Sequence, residues 1–271
     1  MSDFDPWADD EGDDAAARAA QRAPRASDAL AAGTDDFDPF ATDSDNPPPR
    51  PSPQGRRVGE HADGVALLRS RRERRRLRAD SVTPGGRILT VCTGNICRSP
   101  YMERVLAHEL APLGVAVRSA GTGALAGRPI DPGSAALLEA RGIDTSGYAA
   151  RQLTVEMVEQ ADLVLTATRE HRRLVVQEAP SALRRVFAVL DFADLCEGLD
   201  PADVARAPGA NLVARLVAAA GARRASVPAR QDDAADVVDP YQRNWQVFQK
   251  MADQASEPLS KIARALSRQR V

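Results

Sequence analysis

Regular alternation of apolar and polar positions begins near Arg87, and from there strand-like and helix-like segments follow one another along the chain. Short apolar runs at 88–91, 115–117, 163–165 and 186–190 predict four strands. Helix-period patterns at 99–110, 135–141, 154–160, 169–178 and 241–266 predict helices, the last of them interrupted near Pro258. This alternation predicts an α/β fold, a four-stranded parallel doubly wound sheet with helices on both faces. Ligands of such sheets bind beyond the carboxyl ends of the strands, which directs attention to the end of the first strand.

The first 85 residues lack this patterning. Residues 1–50 hold 13 Asp and Glu against four Arg, and residues 51–80 reverse the sign with nine Arg against four Asp and Glu. So few apolar side chains cannot offset the chain entropy that folding would remove. We therefore expect a long disordered N-terminal tail over 1–85, acidic over 1–50 and Arg-rich over 56–78, followed by one folded domain over 86–271.

The predicted tail contains a short repeat, because Phe-Asp-Pro-Trp at 4–7 recurs as Phe-Asp-Pro-Phe at 37–40. The repeat is either a chance product of an Asp-rich segment or a linear motif that docks a partner of unknown identity. The Arg-rich stretch at 69–78 is expected to be solvated or paired with the acidic tail, with anionic lipid or nucleic acid as the alternative ligands. We expect no nucleic-acid partner.

The bulk composition adds little about partners but limits the location. The net charge is −2 at pH 7. No apolar run approaches the roughly 18 residues that span a bilayer, and the N-terminus lacks the basic and apolar segments of a secretory signal. Three cysteines do not make a disulfide framework, and a reducing cytoplasm suits them best. We therefore expect a cytoplasmic protein with no membrane span.

The first predicted strand runs into a loop with the residues for anion binding, Cys92-Thr93-Gly94-Asn95-Ile96-Cys97-Arg98-Ser99-Pro100. Gly94 and Asn95 readily adopt left-handed backbone angles, so the loop can turn successive N–H groups inward as an anion-binding nest. Ser99 is predicted as the N-cap of the following helix, whose positive end adds to the nest. The Arg98 guanidinium can bind two phosphate oxygens at once. The loop from Thr93 to Ser99 is therefore predicted to bind phosphate.

The same loop points to covalent catalysis. A helix N-terminus, inward amides and an arginine all favour a thiolate, which makes Cys92 the candidate nucleophile. Asp239, followed by Pro240 and Tyr241, is the candidate general acid for a departing phenolate or alkoxide. Tyr241 offers an aromatic wall for a phenyl ring.

Other chemically capable side chains are assigned no part in the reaction. His61, His108 and His171 show no metal-like clustering, so neither a metal nor a cofactor is expected. Trp245 and Phe248 lie on the last helical pattern and are predicted to be core residues.

These residues carry a family resemblance. The run VCTGNICRSP at 91–100, with DPY at 239–241, resembles the low-molecular-weight protein tyrosine phosphatases of bacterial type, and the similarity extends over about 87–266. The resemblance implies hydrolysis of phosphotyrosine through a phosphocysteine intermediate. It implies that Cys92 is the nucleophile, that Arg98 clamps the phosphate, and that Asp239 acts first as acid and then as base.

The resemblance also implies supporting roles. Asn95 and Ser119 would hold the loop in shape, and Ser99 would hydrogen-bond the Cys92 sulfur. Cys97 matches a second loop cysteine that can form a reversible disulfide with the nucleophile. The implied partner is a phosphotyrosine protein, such as a bacterial tyrosine kinase that controls polysaccharide export, or a substrate of that kinase.

The chain departs from the family pattern at two places. Tyr148 stands where many relatives carry a histidine that braces the loop asparagine, and a tyrosine hydroxyl could substitute for it. Cys92 and Asp239 are 147 positions apart, more than the family leads us to expect. The excess is assigned to 196–236, where an extra helix near 210–220 either covers the site or decorates the surface.

Three alternative functions stay open at this point. Phosphoarginine phosphatases carry Thr where this chain has Ile96, whose apolar bulk favours a phenyl ring instead. An arsenate reductase needs two further cysteines, and Cys196 is the sole candidate outside the loop. A non-enzymatic anion-binding scaffold, recruited by its tail, is disfavoured by the intact set of Cys92, Arg98 and Asp239.

Overall fold

The structure, a computed structural model, describes residues 85–268, so the predicted tail with its repeat lies outside the described residues. Four parallel strands form one sheet in the order β2-β1-β3-β4. The strands are β1 Gly86–Cys92, β2 Val115–Gly121, β3 Leu163–Thr166 and β4 Val186–Ala188. All seven residues of β1 are buried, as expected for a central strand of a sheet covered on both faces. The predicted parallel sheet is thus confirmed.

Eight α-helices within 85–268 cover this sheet: α1 Arg98–Leu110, α2 Pro132–Glu139, α3 Val155–Gln160, α4 Arg169–Glu178, α5 Val189–Cys196, α6 Pro201–Arg206, α7 Leu212–Ala222 and α8 Trp245–Ser267. Several begin at a side-chain cap, such as Thr154, Asn211 and Asn244. Ile88 of β1 packs with α1, α5 and α8 on one face. Leu89 of β1 packs with residues of α3 and α4 on the other. The predicted doubly wound architecture is confirmed by these two separate apolar clusters.

Several predicted boundaries differ from the structure; the last helix, for example, begins at Trp245 and not at 241. The strand expected over 186–190 ends at Ala188, and Val189 and Leu190 begin α5. A short apolar run does not distinguish strand from helix, and here Val189, Phe192, Ala193 and Cys196 recur at helical spacing.

The predicted break near Pro258 is also wrong, because α8 continues through it to Ser267. An interior proline costs a helix about 3 kcal/mol. The buried stripe of α8, which includes Met251, Leu259 and Ile262, outweighs that cost. Phe248 is in the core as predicted, whereas Trp245 at the start of the helix is 40% exposed.

The helical part of the insertion at 196–236 packs far from the predicted loop. The Val213 N–H donates to the carbonyl of Gly85, and the Asn211 side chain donates to Asp162, so α7 lies at the amino end of the strands. The loop after Cys92 lies at the opposite, carboxyl end of β1. The extra helix predicted near 210–220 therefore exists as α7 and does not cover the site. Among residues 85–268, no helix has the length and apolar character to cross a membrane.

Candidate active site

The loop between β1 and α1 is shaped by hydrogen bonds to its carbonyl groups. The carbonyls of Cys92, Thr93, Gly94 and Ile96 accept N–H groups from residues 122, 123, 125 and 131, and that of Asn95 accepts the Tyr148 hydroxyl. Because these carbonyls point outward, the amide N–H groups of the loop face its interior, as in an anion-binding nest. The structure thus gives the predicted phosphate-binding loop a concrete geometry.

The close approach of the neighbouring strand depends on Gly121 at the end of β2. A Cβ at this position would lie 2.3 Å from the carbonyl oxygen of Thr93. Within the loop, Asn95 has the left-handed φ of 55° that the sequence predicted. Gly94 does not adopt a positive φ, so that part of the prediction is wrong.

Asn95 is fixed by bonds from four directions. Its side-chain amide donates to Ser99 at 2.9 Å and to Ser119 at 2.8 Å, and its Oδ1 accepts the N–H of Arg151 at 2.8 Å. Its carbonyl accepts the Tyr148 hydroxyl at 2.8 Å. Tyr148 therefore does reach the loop and takes the bracing position for which its hydroxyl was proposed.

A carboxyl group lies behind this brace. The Ser119 hydroxyl donates to Glu103 of α1 and lies 3.0 Å from the Tyr148 hydroxyl. Glu103 is 4% exposed, and burial raises its pKa above the ordinary value. Burial also raises the pKa of Tyr148, so the hydroxyl stays protonated and able to donate. Sequence reasoning missed Glu103, although its place four residues after Ser99 on the buried stripe of α1 was a usable signal.

The Cys92 sulfur sits at the base of the loop. It is 2% exposed and lies 3.0 Å from the Ser99 hydroxyl oxygen. Ser99 was predicted as the N-cap of α1, but the helix begins at Arg98 and its N-cap residue is Cys97. The Ser99 side chain is therefore free to contact Cys92 and Asn95. Cys97 is a buried free thiol, and burial raises its pKa, which disfavours the thiolate form.

The structure brings Arg98 and Asp239 together across 141 positions of sequence. Arg98 Nη2 donates to Asp239 Oδ2 at 2.7 Å. The Arg98 side chain is 7% exposed, that of Asp239 52%. Arg98 Nε is buried and has no hydrogen-bond partner among residues 85–268. A buried donor without a partner costs about 1–3 kcal/mol, and this atom is available to bind an anion in the loop.

The remaining predicted residues surround this centre. Thr93 is exposed at the loop surface and Ile96 is buried at 5% exposure. Tyr241 follows Asp239 on the same turn, where its N–H donates to Asp239 Oδ1 at 3.2 Å, and its side chain is 43% exposed. Leu125, 37% exposed, is hydrogen-bonded through its N–H to Gly94. The rim of the loop thus carries exposed apolar groups beside a charged centre.

His171 of α4 also contacts the loop, although the sequence assigned it no role. Its Nε2 lies 2.8 Å from the Thr93 hydroxyl and its Nδ1 lies 2.6 Å from the Thr168 hydroxyl. Thr168 accepts the His171 backbone N–H, so it can donate its own proton to Nδ1. A neutral imidazole that donates from Nε2 to Thr93 satisfies every contact. Burial, with the nearby Arg98 guanidinium, lowers the pKa of His171 to about 4.

This histidine is expected to make the domain less stable in acid. The unfolded chain takes up the histidine proton near its ordinary pKa of about 6.5, whereas the folded protein resists it until about pH 4. Stability must therefore fall as pH drops through this window, by roughly 3 kcal/mol, and level off below it. Urea unfolding of wild type and His171→Gln at pH 7, 5.5 and 4 measures the effect.

The wild type should lose stability faster than His171→Gln between pH 6.5 and 4. The exposed His108 of α1 is the matched control, and His108→Gln should follow the wild type. Parallel curves for wild type and His171→Gln would show that His171 is not held neutral.

Similar proteins are known for the part of the chain that contains this loop. A family model described as low molecular weight phosphotyrosine protein phosphatase matches residues 87–219, a range that contains the loop and ends before Asp239. The low molecular weight protein-tyrosine-phosphatase Etp of Escherichia coli K12 is 45% identical over 114 residues, which are 42% of this chain and 76% of that protein. The probable low molecular weight protein-tyrosine-phosphatase EpsP of Ralstonia solanacearum is 44% identical over 100 residues, 37% and 68% of the two chains.

A solved structure extends the likeness to the fold. The YwlE arginine phosphatase from Geobacillus stearothermophilus superposes with a TM-score of 0.50 at 26% sequence identity. The match covers 68% of this chain and 94% of that one, so the described domain has the fold of that enzyme.

Proposed function

Since the chain belongs to the low-molecular-weight protein tyrosine phosphatase family and is a phosphatase, we propose that it hydrolyses phosphotyrosine through a phosphocysteine intermediate on Cys92. One observation carries the proposal: the Cys92 sulfur, 3.0 Å from the Ser99 hydroxyl, lies in a loop whose amides face inward beside the buried Arg98. A thiol, an anion cradle and a guanidinium at one point are what covalent phosphoryl transfer from a monoester requires.

Substrate binding places the phosphate against the loop amides, the N-terminal end of α1 and Arg98. Arg98 offers the partnerless Nε and, once Asp239 turns toward the leaving group, Nη2 as well. Both donors then bind phosphate oxygens in the planar geometry that a guanidinium allows.

The first chemical step forms the bond between sulfur and phosphorus and breaks the bond between phosphorus and the ester oxygen. The Cys92 thiolate attacks in line, and the Asp239 carboxylic acid donates its proton to the departing oxygen. In the second step the Asp239 carboxylate takes a proton from a water molecule, whose oxygen attacks phosphorus and forms the new phosphorus–oxygen bond. The sulfur–phosphorus bond then breaks, and the Ser99 hydroxyl stabilises the sulfur that departs.

The rim supports an aromatic leaving group. Tyr241 and Leu125 both expose apolar surface beside the loop. Tyr241 lies two residues after Asp239, and the N–H of Leu125 donates to the carbonyl of Gly94. A phenyl ring can pack on such groups while its phosphate reaches the loop floor. The proposed partners are therefore phosphotyrosine proteins, among them a bacterial tyrosine kinase or its substrates.

The alternatives receive less support. An arsenate reductase would need a cysteine relay, but Cys196 ends α5 beside the C-terminal part of α8 and lines a cavity with Lys261 and Arg264. That cavity lies away from the carboxyl ends of the strands where Cys92 sits. Phosphoarginine hydrolysis is the second candidate, because the solved structure reported above is named an arginine phosphatase.

Substrate preference should depend on the side chain at position 96. The wild type should hydrolyse a phosphotyrosine peptide in the presence of a chelator, with higher kcat/KM than the same peptide bearing phosphoarginine or phosphoserine. Ile96→Thr supplies a hydroxyl that can bind a guanidinium, so the preference for phosphotyrosine over phosphoarginine should fall roughly tenfold. Ile96→Val, which shortens the side chain without a hydroxyl, is the matched control and should keep the preference.

Each result has a defined meaning. A wild type that prefers phosphoarginine would replace the proposed substrate. An equal shift in Ile96→Thr and Ile96→Val would show that volume, and not the hydroxyl, sets the preference.

A further inference from the structure

The segment that carries Asp239 is outside the helices and strands, so its position depends on its neighbours. It follows α7, passes through a short 3₁₀ turn at Asp232–Ala235 and reaches Asp239 before α8 begins. The Asp239 side chain is half exposed and does not pack into the core. A general acid must nevertheless be held to within a fraction of an ångström, since small misplacements cost much of the rate.

Two arginines anchor this segment to α5. The Arg230 guanidinium binds Asp194 twice, at 2.6 Å from Nε and 2.8 Å from Nη2. The Arg169 guanidinium binds Asp191 twice in the same manner, at 3.0 and 2.8 Å. Asp191 and Asp194 are three positions apart on α5 and therefore share a face. We call these four residues the arginine clasp.

The clasp is joined to the segment through the backbone as well. Arg169 Nη2 also donates to the carbonyl oxygen of Arg230 at 2.9 Å, and Arg230 Nη1 donates to the carbonyl of Ala234 at 3.3 Å. All four clasp side chains are between a fifth and two fifths exposed, so their bidentate pairs are partly shielded from water. The arrangement ties two points of the segment to α5.

The contacts continue from the clasp to the acid. Asp236 Oδ1 accepts the backbone N–H of Arg169 at 2.8 Å, at the start of α4. The N–H of Val237 donates to Ala167 at 2.9 Å, and that of Val238 donates to the Gln254 side chain of α8 at 2.9 Å. The next residue is Asp239, bound to Arg98. Each residue from 236 to 239 thus has a fixed partner, and the clasp fixes the stretch before them.

We propose that the arginine clasp positions Asp239 for proton transfer, with Arg230 as its specific positioning residue. This inference rests on the proposed function, because it assigns Arg230 an effect only through Asp239 as general acid. Arg230 and its carbonyl lie in the insertion at 196–236. This part of the insertion therefore supports the segment that carries Asp239, whereas α7 lies at the opposite end of the sheet.

Leaving-group dependence separates this role from a general structural one. Phenyl phosphate needs a proton on its departing oxygen, whereas 2,4-dinitrophenyl phosphate leaves as a stable anion. Arg230→Ala and Asp194→Asn should lower kcat/KM for phenyl phosphate by about tenfold and for 2,4-dinitrophenyl phosphate by less than about twofold. Arg230→Lys, which keeps the charge but loses the planar fork, should fall between wild type and Arg230→Ala.

The control and the double variant complete the test. Arg206→Ala breaks an exposed ion pair with Asp203 on α6 and should leave kcat/KM unchanged for both substrates. In the Asp239→Asn background, Arg230→Ala should cause no further loss with phenyl phosphate.

The positioning role would be overturned by an equal fall in kcat/KM for both substrates or by no fall for either. It would also be overturned if Arg230→Ala lowered kcat/KM as much in the Asp239→Asn background as in the wild type. Absence of turnover in the wild type, or full turnover by Cys92→Ser, would instead overturn the proposed function and the role that rests on it.

Discussion

Cys92→Ser is expected to lower metal-free turnover of para-nitrophenyl phosphate by at least about 10⁴-fold over pH 4–8. A serine hydroxyl at the same point is almost never ionised, so the attack on phosphorus loses its nucleophile. In the wild type the Cys92 sulfur lies 3.0 Å from the Ser99 hydroxyl oxygen, and a serine hydroxyl at position 92 can keep this contact. The substitution also leaves the hydrogen bonds to the loop carbonyls unchanged. Inorganic phosphate should therefore still bind, which calorimetry can measure.

The two other cysteines supply matched controls. Cys196→Ser alters a buried thiol at the end of α5, away from the loop, and should leave kcat/KM unchanged. Cys97→Ser alters the loop itself and, under reducing conditions, should have a small effect because that thiol is not the nucleophile. Loss of activity in all three variants would indicate a folding defect, and substantial activity in Cys92→Ser would exclude the covalent mechanism.

The residues of the proposed reactive centre could be picked out from the sequence because they are close together in it. Cys92, Arg98 and Ser99 stand within eight consecutive positions after a buried strand, and a β-strand followed by a helix leaves little freedom for the loop between them. The parallel sheet followed from the alternation of apolar runs with helical patterns. Patterns among neighbouring residues were therefore sufficient to predict the parallel sheet and to single out the loop after β1.

The supporting residues depend on contacts between distant parts of the chain, and the sequence did not reveal most of them. Tyr148 meets Asn95 across 53 positions and His171 meets Thr93 across 78. A lone histidine at the start of a helix carries no periodic signal, because its role arises only when α4 packs beside the loop. Glu103 is different, since a carboxyl on an otherwise apolar stripe indicates a buried partner.

The prediction errors also have tertiary causes. Val189 and Leu190 are as apolar as a strand requires, and only the packing of α5 makes them helical. Pro258 breaks an isolated helix, but in α8 the burial of neighbouring side chains offsets its cost. Propensity sets a preference at each position, and tertiary burial decides between the alternatives.

Asp239→Asn is the prediction with the second largest effect, an expected fall in kcat/KM for phenyl phosphate of roughly 100- to 10,000-fold. Asparagine preserves the shape and can still contact Arg98, but it has no proton to give to the departing oxygen. The loss should be much smaller with 2,4-dinitrophenyl phosphate, whose leaving group needs no proton.

Asp253 of α8 is the matched control for this substitution. It is an exposed acid on a helix surface, and Asp253→Asn should leave kcat/KM unchanged for both substrates. If Asp239→Asn lowered kcat/KM equally for both substrates, its effect would come from the loop and not from proton transfer.

Phosphate binding by Asp239→Asn provides an independent check on the same side chain. The Asp239 carboxylate lies 2.7 Å from the guanidinium that is proposed to bind the phosphate, and it would place a negative charge beside an incoming dianion. Removing that charge should tighten the binding of inorganic phosphate several-fold while turnover falls. Tighter binding together with slower catalysis separates loss of the acid from collapse of the loop, because a collapsed loop would lose both.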